Sequence, residues 1–145
     1  MTRSSFAAAR RSRTPPGDAL GPQYQPGTCN IGQAEIARRR QAGHVGVVVT
    51  VLVFGALMAL GSPPLLRLVV ALPAAVAASG YLQAWLKFCA AFGSRGIFNF
   101  GALGQIGQVV DADSRRRDRW RANQIGLASL ATGLAIAIAA VLVPR

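Results

Sequence analysis

An all-helical integral membrane fold with three spans is what this sequence predicts, and three observations predict it. Charge vanishes over two long stretches: none lies between His44 and Leu66, or between Ala122 and Pro144. Apolar runs approaching about 20 residues match the hydrocarbon thickness of a bilayer when wound into a helix. The strongest helix breakers, the Pro63-Pro64 pair and Pro144, fall at the ends of such runs. The cations are lopsided, crowding the flanks of the runs on one side of the predicted bundle.

The chain opens on a predicted disordered basic arm, residues 1–28, in which "RTPPGDALGPQYQPG" would break any helix. Its first residues, "MTRSSFAAARRSR", read as a basic bacterial tail. The alternative is an organelle transit peptide, which shares the Arg- and Ser-rich, acid-poor composition. No apolar core follows the first arginines, so a secretory signal is not expected.

The first span is read over 45–61, "VGVVVTVLVFGALMALG". Ten of its residues are Val, Leu or Phe, each favouring the centre of a membrane helix by roughly 0.3–0.6 kcal/mol. "GSPP" ends it, since proline cannot continue the hydrogen-bond ladder. The second span, over 68–86, is interrupted by Pro73, Ser79 and Gly80, so it is expected packed between neighbours that re-satisfy its backbone. The third span is read over 125–143, where Pro144 stops it. Juxtamembrane segments 29–44 and 87–124 complete a membrane domain over 29–143. Within the second of them, Phe100, Leu103, Ile106 and Val110 recur at helical spacing, with Asn99, Gln105 and Gln108 as polar neighbours. That pattern predicts a short amphipathic interfacial helix over 97–110. Gly101, Gly104 and Gly107 count against it, and a loop is the alternative.

Counting cations sets the orientation. Seven precede the first span and seven lie between the second and third, while only Arg67 and Arg145 fall on the opposite side. The positive-inside rule then places the N-terminus in the cytoplasm and the C-terminus outside. A bacterial inner membrane is expected, an organelle membrane being the alternative. Tyr81, Trp85 and Trp120 should sit near the cytoplasmic interface, where amphipathic rings are enriched. The net charge of +11 comes without any nucleic-acid signature, and its arginines flank apolar spans. Anionic lipid headgroups are therefore the expected partner, bound by Arg38, Arg39, Arg40, Arg115, Arg116, Arg117, Arg119 and Arg121. Two segments, "IGQAEIARRR" and "IGQVVDADSRRR", echo each other on that side. Convergence on a cap, an acid and arginines ahead of a span explains the echo, and divergent duplication is the alternative.

Chemistry-bearing patterns are sparse. "CAAFGSR", Cys89 to Arg95, has the Cys-x5-Arg spacing of tyrosine-phosphatase loops, in which arginine binds phosphate bidentately. Here the cysteine ends a membrane span rather than following a strand, and no general acid stands nearby, so a structural cysteine is expected. Cys29 and Cys89 lack metal-ligand spacing and should be reduced thiols on the cytoplasmic side. His44 is read as an interfacial histidine bonded to a carbonyl or lipid phosphate. No Asp or Glu lies inside a span, which argues against proton coupling within one copy. Small residues recur at four-residue spacing: Gly55 and Ala59; Ala71, Ala75 and Ser79; Ser129, Gly133 and Ala137. Such stripes let membrane helices approach closely, leaving Leu130, Leu134 and Ile138 to face lipid or a second interface.

"CNIGQAEIARRRQAG" places Asn30, Gly32, Glu35, Arg39 and Gly43 ahead of the first span, and Phe88, Cys89 and Gly93 close the second. With that spacing the chain resembles the small inner-membrane family that also supplies the membrane anchor of the YgaP-type rhodanese. The resemblance covers about residues 29–98 and implies a two-helix membrane unit. Ile36 stands where the family has an arginine, and the third span lies beyond the family unit. No rhodanese domain is present, so sulfur transfer is not implied. On the residues alone, Asn30 should cap the following helix through its side-chain oxygen. Glu35 precedes Arg39 by four residues, the favourable order for a helical ion pair.

The expected function is that of a non-enzymatic accessory or assembly subunit of a larger membrane complex. It would need no cofactor or metal, bind no nucleic acid, and contact anionic lipids together with other membrane subunits or a second copy of itself. A homo-oligomeric channel or small transporter is the alternative, and a membrane-bound cysteine enzyme a distant third.

Overall fold

The computed structural model describes residues 24–144; most of the expected arm lies outside them. Three helical segments are long and apolar enough to cross a membrane, with mean hydropathy of 2.1, 1.8 and 2.3 over their most apolar windows. The chain is built as a multi-pass membrane protein. Helix α1, Gln33–Ala59, is followed by a 3-10 turn, Pro64–Val70, and helix α2, Ala71–Trp85. A short helix α3, Ala90–Arg95, and strands β1, Ile97–Phe98, and β2, Gly107–Gln108, lead into helix α4, Ala112–Leu142.

Each boundary has a local cause. Asp111 caps α4, its carboxylate accepting from the Ser114 N–H at 2.8 Å and the Ser114 hydroxyl at 2.6 Å; this satisfies one of the orphan donors of the first turn. Gly61 ends α1 in the left-handed region with φ of 62°. The N–H groups of Gly61 and Ser62 then donate back to Met58 and Leu57 carbonyls, the paired closure of a Schellman motif. Pro64 takes the first position of the 3-10 turn and Pro73 the first turn of α2, where no intrahelical N–H is required. That is how the interrupted second span remains helical from Pro64 to Trp85.

Helix α2 packs against α1 along one side and α4 along the other. The α1–α2 crossing is made by glycine: a Cβ on Gly80 would lie 2.5 Å from the Gly43 nitrogen, inside contact distance. The α2–α4 crossing works the same way at Gly133, where a Cβ would lie 2.5 Å from the Ala71 carbonyl oxygen. Ser129 and Ala137 are buried in that seam, with Ala71, Ala75 and Ser79 half-covered opposite. Gly55 and Ala59 are not in a seam: both are exposed, and a Cβ on Gly55 would meet nothing within 4 Å. Leu130, Leu134 and Ile138 are also exposed, on the outer surface of α4.

The helices around the first and third spans begin far upstream, at Gln33 and Ala112, so both arginine triplets are helical, as the helical Glu35–Arg39 spacing implies for the first. Two expectations are corrected. Segment 97–110 is no amphipathic helix but a short antiparallel hairpin in which Ile97 pairs with Gln108 and Phe98 with Gly107. Gly104 at φ 92° and the glycines around it favour the turn over a helix. Residues 24–28, assigned to the disordered arm, form a turn closed by the Gln25–Cys29 bridge.

Candidate functional site

The extended segments on either side of the helices converge at one end of the bundle, where the arginines lie. Asn30 is fully buried there. Its Nδ2 donates to the Cys89 carbonyl at 3.1 Å, and its Oδ1 accepts from the Cys89 N–H at 2.7 Å. The Asn30 backbone is held as well, its N–H donating to the Lys87 carbonyl and its carbonyl accepting from the Asn99 N–H. The expected role as a helix cap is therefore overturned: Gly32 is the cap residue of α1, with no side-chain hydrogen bond, because the Asn30 amide is taken by Cys89. Asn99, also fully buried, makes its own turn by accepting from the Gly101 N–H and donating to the Ala102 carbonyl. Ile31 bridges to Asn99 in parallel. Both echoed segments thus enter their helices beside the same short strand, one parallel to it and one antiparallel.

In the first turn of α1, Glu35 is almost wholly buried at 2% exposure. Its carboxylate lies 3.6 Å from Arg39 and 4.0 Å from Arg38. Arg39 also donates to the Cys89 sulfur at 2.9 Å and lies over the Phe92 ring at 5.9 Å. The side chains of Glu35, Arg39, Cys89 and Phe92 form one contiguous cluster. The residues carrying the family resemblance are brought together here: Asn30, Glu35, Arg39 and Cys89 by direct contact or through one another, Gly32 beside Phe100, and Gly43 against Gly80. The Cys89-to-Arg95 stretch makes no phosphate cradle, for Ala90–Arg95 is helical, Cys89 is fully buried and Arg95 is exposed. Cys29 and Cys89 are both free thiols.

Helix α4 contributes the second half. Asp118 is fully buried and accepts from the Tyr24 hydroxyl at 2.8 Å and the Gly27 N–H at 2.7 Å. The 24–29 turn is strapped across α4 by these two bonds, and the Tyr24 ring stacks on Phe98 with centroids 5.1 Å apart. Burial, reinforced by the hydrogen bond to Asp118, pushes the Tyr24 phenol well above its usual range. Asp111, held by the Ser114 hydroxyl and N–H, is lowered below the ordinary carboxylate value. Arg38, Arg40, Arg115, Arg116, Arg117 and Arg119 are exposed around this end, while Arg121 is half-buried and donates to Gln124. His44 bonds the Tyr81 hydroxyl at 2.5 Å rather than a backbone carbonyl.

Three functional or structural residues escape sequence reasoning. Asp118 reads as one acid among five arginines, and nothing local marks it as buried. Gln83 accepts from the Ala90 N–H while donating to Ser79, joining α2 to α3. Arg67, counted only as an outside charge, is 1% exposed and donates to the Ala140 carbonyl at 3.2 Å and the Val143 carbonyl at 2.6 Å. It satisfies carbonyls at the C-terminus of α4, where a cation also meets the negative end of the helix dipole. Among the described residues no group of His, Cys, Asp or Glu could hold a metal ion. Comparison with protein-family models, curated proteins and solved structures gives no match to this chain.

Proposed function

We propose that this chain is a non-enzymatic accessory or assembly subunit of a bacterial inner membrane. Its arginine-rich end would lie in the cytoplasm against anionic lipid, with the C-terminus outside. The crowding of arginines there, against Arg67 alone among the described cations at the other end, supports placing that end at the inner face.

The observation that carries the subunit reading is the uncovered small-residue surface of α1. Gly55 lies on a membrane helix with nothing within 4 Å of where a Cβ would stand. Against lipid a glycine in a helix interior costs about 1 kcal/mol relative to alanine; against another helix it permits close approach. A helix of a partner subunit is the occupant that makes use of it. The non-enzymatic reading is supported by the polar end of the bundle, where Asn30, Cys89 and Asp118 are fully buried and bonded within the fold.

The experiment is purification of the tagged, full-length chain in a mild detergent with identification of what remains bound. A stoichiometric partner that is lost on Gly55→Ile, while the chain stays folded, is the expected result. A symmetric homo-oligomer with a polar lumen would replace this reading with a channel. Loss of cellular activity on Cys89→Ser at unchanged expression would replace it with a cysteine enzyme.

A further inference from the structure

We propose that the groove between the Pro26–Gly27 turn and the first turns of α4 binds the phosphodiester headgroup of an anionic phospholipid. The proposal deepens the reading of this end as a lipid anchor and rests on it: it replaces a diffuse cationic surface with one built site. A cavity of about 550 Å³ opens there, lined by Pro26, Gly27, Arg116, Arg117 and Trp120.

Charge is arranged to favour an anion. Residues 115–121 hold five arginines and a single acid, Asp118. Both carboxylate oxygens of Asp118 are already bonded, one to the Tyr24 hydroxyl and one to the Gly27 N–H. Asp118 therefore fastens the wall of the groove instead of pairing with its arginines. Among the described residues neither Arg116 nor Arg117 stands within 4 Å of a carboxylate, the ion pairs present being those of Glu35, and Asp111 feels the Arg117 charge only at longer range. Arg116 and Arg117 both line the groove, and a guanidinium group can bind phosphate oxygens in the planar, bidentate manner that lysine cannot reproduce.

Depth selects a lipid as the source of the phosphate. The uncharged part of α4 runs from Ala122 to Leu142, a rise of about 30 Å, which fills the hydrocarbon layer. Arg117 then stands about 7 Å beyond that layer, at the level of the headgroups. Trp120, 66% exposed, marks the boundary between them, where indole rings are enriched. Gly27 closes the site at close quarters, its Cβ position lying 3.4 Å from the Arg117 Cβ.

The test uses the full chain in phosphatidylcholine nanodiscs doped with phosphatidylglycerol, with the lipids retained on release counted by native mass spectrometry. Arg116→Ala with Arg117→Ala should lower phosphatidylglycerol retention by roughly tenfold or more, whereas Arg38→Ala with Arg40→Ala, an equal loss of charge on α1, should lower it distinctly less. Asp118→Asn gives the decisive sign. Diffuse attraction predicts stronger retention once a negative charge is removed, while a site walled by the strap predicts weaker retention. Tyr24→Phe, which loosens the strap without changing charge, should also weaken it and serves if Asp118→Asn does not fold. Equal losses from the two arginine pairs, with a gain on Asp118→Asn, would overturn the site while leaving general anchoring intact. No loss from either pair would overturn both readings. Inorganic phosphate displacing the lipid at comparable concentration would overturn the assignment to a lipid headgroup.

Discussion

Asn30 uses its side-chain amide as a second peptide group, donating to and accepting from the backbone of Cys89. Because both atoms are buried, deleting the amide strands the Cys89 N–H and carbonyl away from water, and unsatisfied buried groups cost more than the net worth of the bonds themselves. Asn30→Ala should lower stability by about 2–4 kcal/mol, read as a fall in the thermal unfolding midpoint in detergent. Gln25→Ala, at an exposed position, serves as the control. Tyr24 gives a pH prediction at the same scale. Its folded value lies above the ordinary tyrosine value because burial and Asp118 favour the neutral phenol, with Asp111 adding to the shift and Arg117 opposing it. The stabilisation is fully present below the unfolded value of about 10 and is lost as pH rises above it. The strap should therefore release only in alkaline solution, seen as tyrosinate absorbance appearing together with faster hydrogen exchange at Gly27. Asp118→Asn should shift that transition.

At the scale of elements, packing between helices depends on which small residues meet. The sequence offered three stripes, and only the ones on α2 and α4 close on each other, at Gly133 and Ala75. The α1–α2 contact uses Gly43 and Gly80 instead, Gly43 lying twelve residues before the stripe that α1 displayed. Gly133→Ala should cost about 1–3 kcal/mol, since the added methyl meets the Ala71 carbonyl, a backbone atom that can move only with its helix. Gly55→Ala should be neutral or slightly stabilising for the isolated chain. Parallel unfolding measurements on the two variants check both signs. The hairpin over 97–110 went unread because its apolar residues do recur at helical spacing. What decides it is Asn99, whose backbone is committed to Asn30 and Gly32, two residues that lie far away along the chain.

For the whole molecule, the paired ends of the bundle define its topology. Tyr24–Gly32 meets residues 87–118 at one end, and Arg67 meets Val143 at the other. Ten of the cations among the described residues lie at or beside the first end, and Arg67 alone at the second. Single-cysteine reporters at Ala102 and Gly61, in a Cys29→Ser background that keeps the buried Cys89, should label from opposite sides of an intact membrane. Ala102 should react only from the cytoplasm. Labelling of both from one side would contradict the three-span arrangement, and reaction of Ala102 from outside would invert the orientation.

Sequence alone determined that helices of this chain are long and apolar enough to cross a bilayer, roughly where their apolar cores lie, and that its cations favour one end. Run length, charge and proline are properties of neighbouring residues and can be summed along a window. Tertiary structure decided which glycines face a helix, which acid is buried and what Asn30 bonds. Those choices depend on partners far apart in the chain, such as Tyr24 and Asp118 at a separation of 94 residues. A burial or a hydrogen bond that exists only after such segments meet leaves no pattern in either segment by itself.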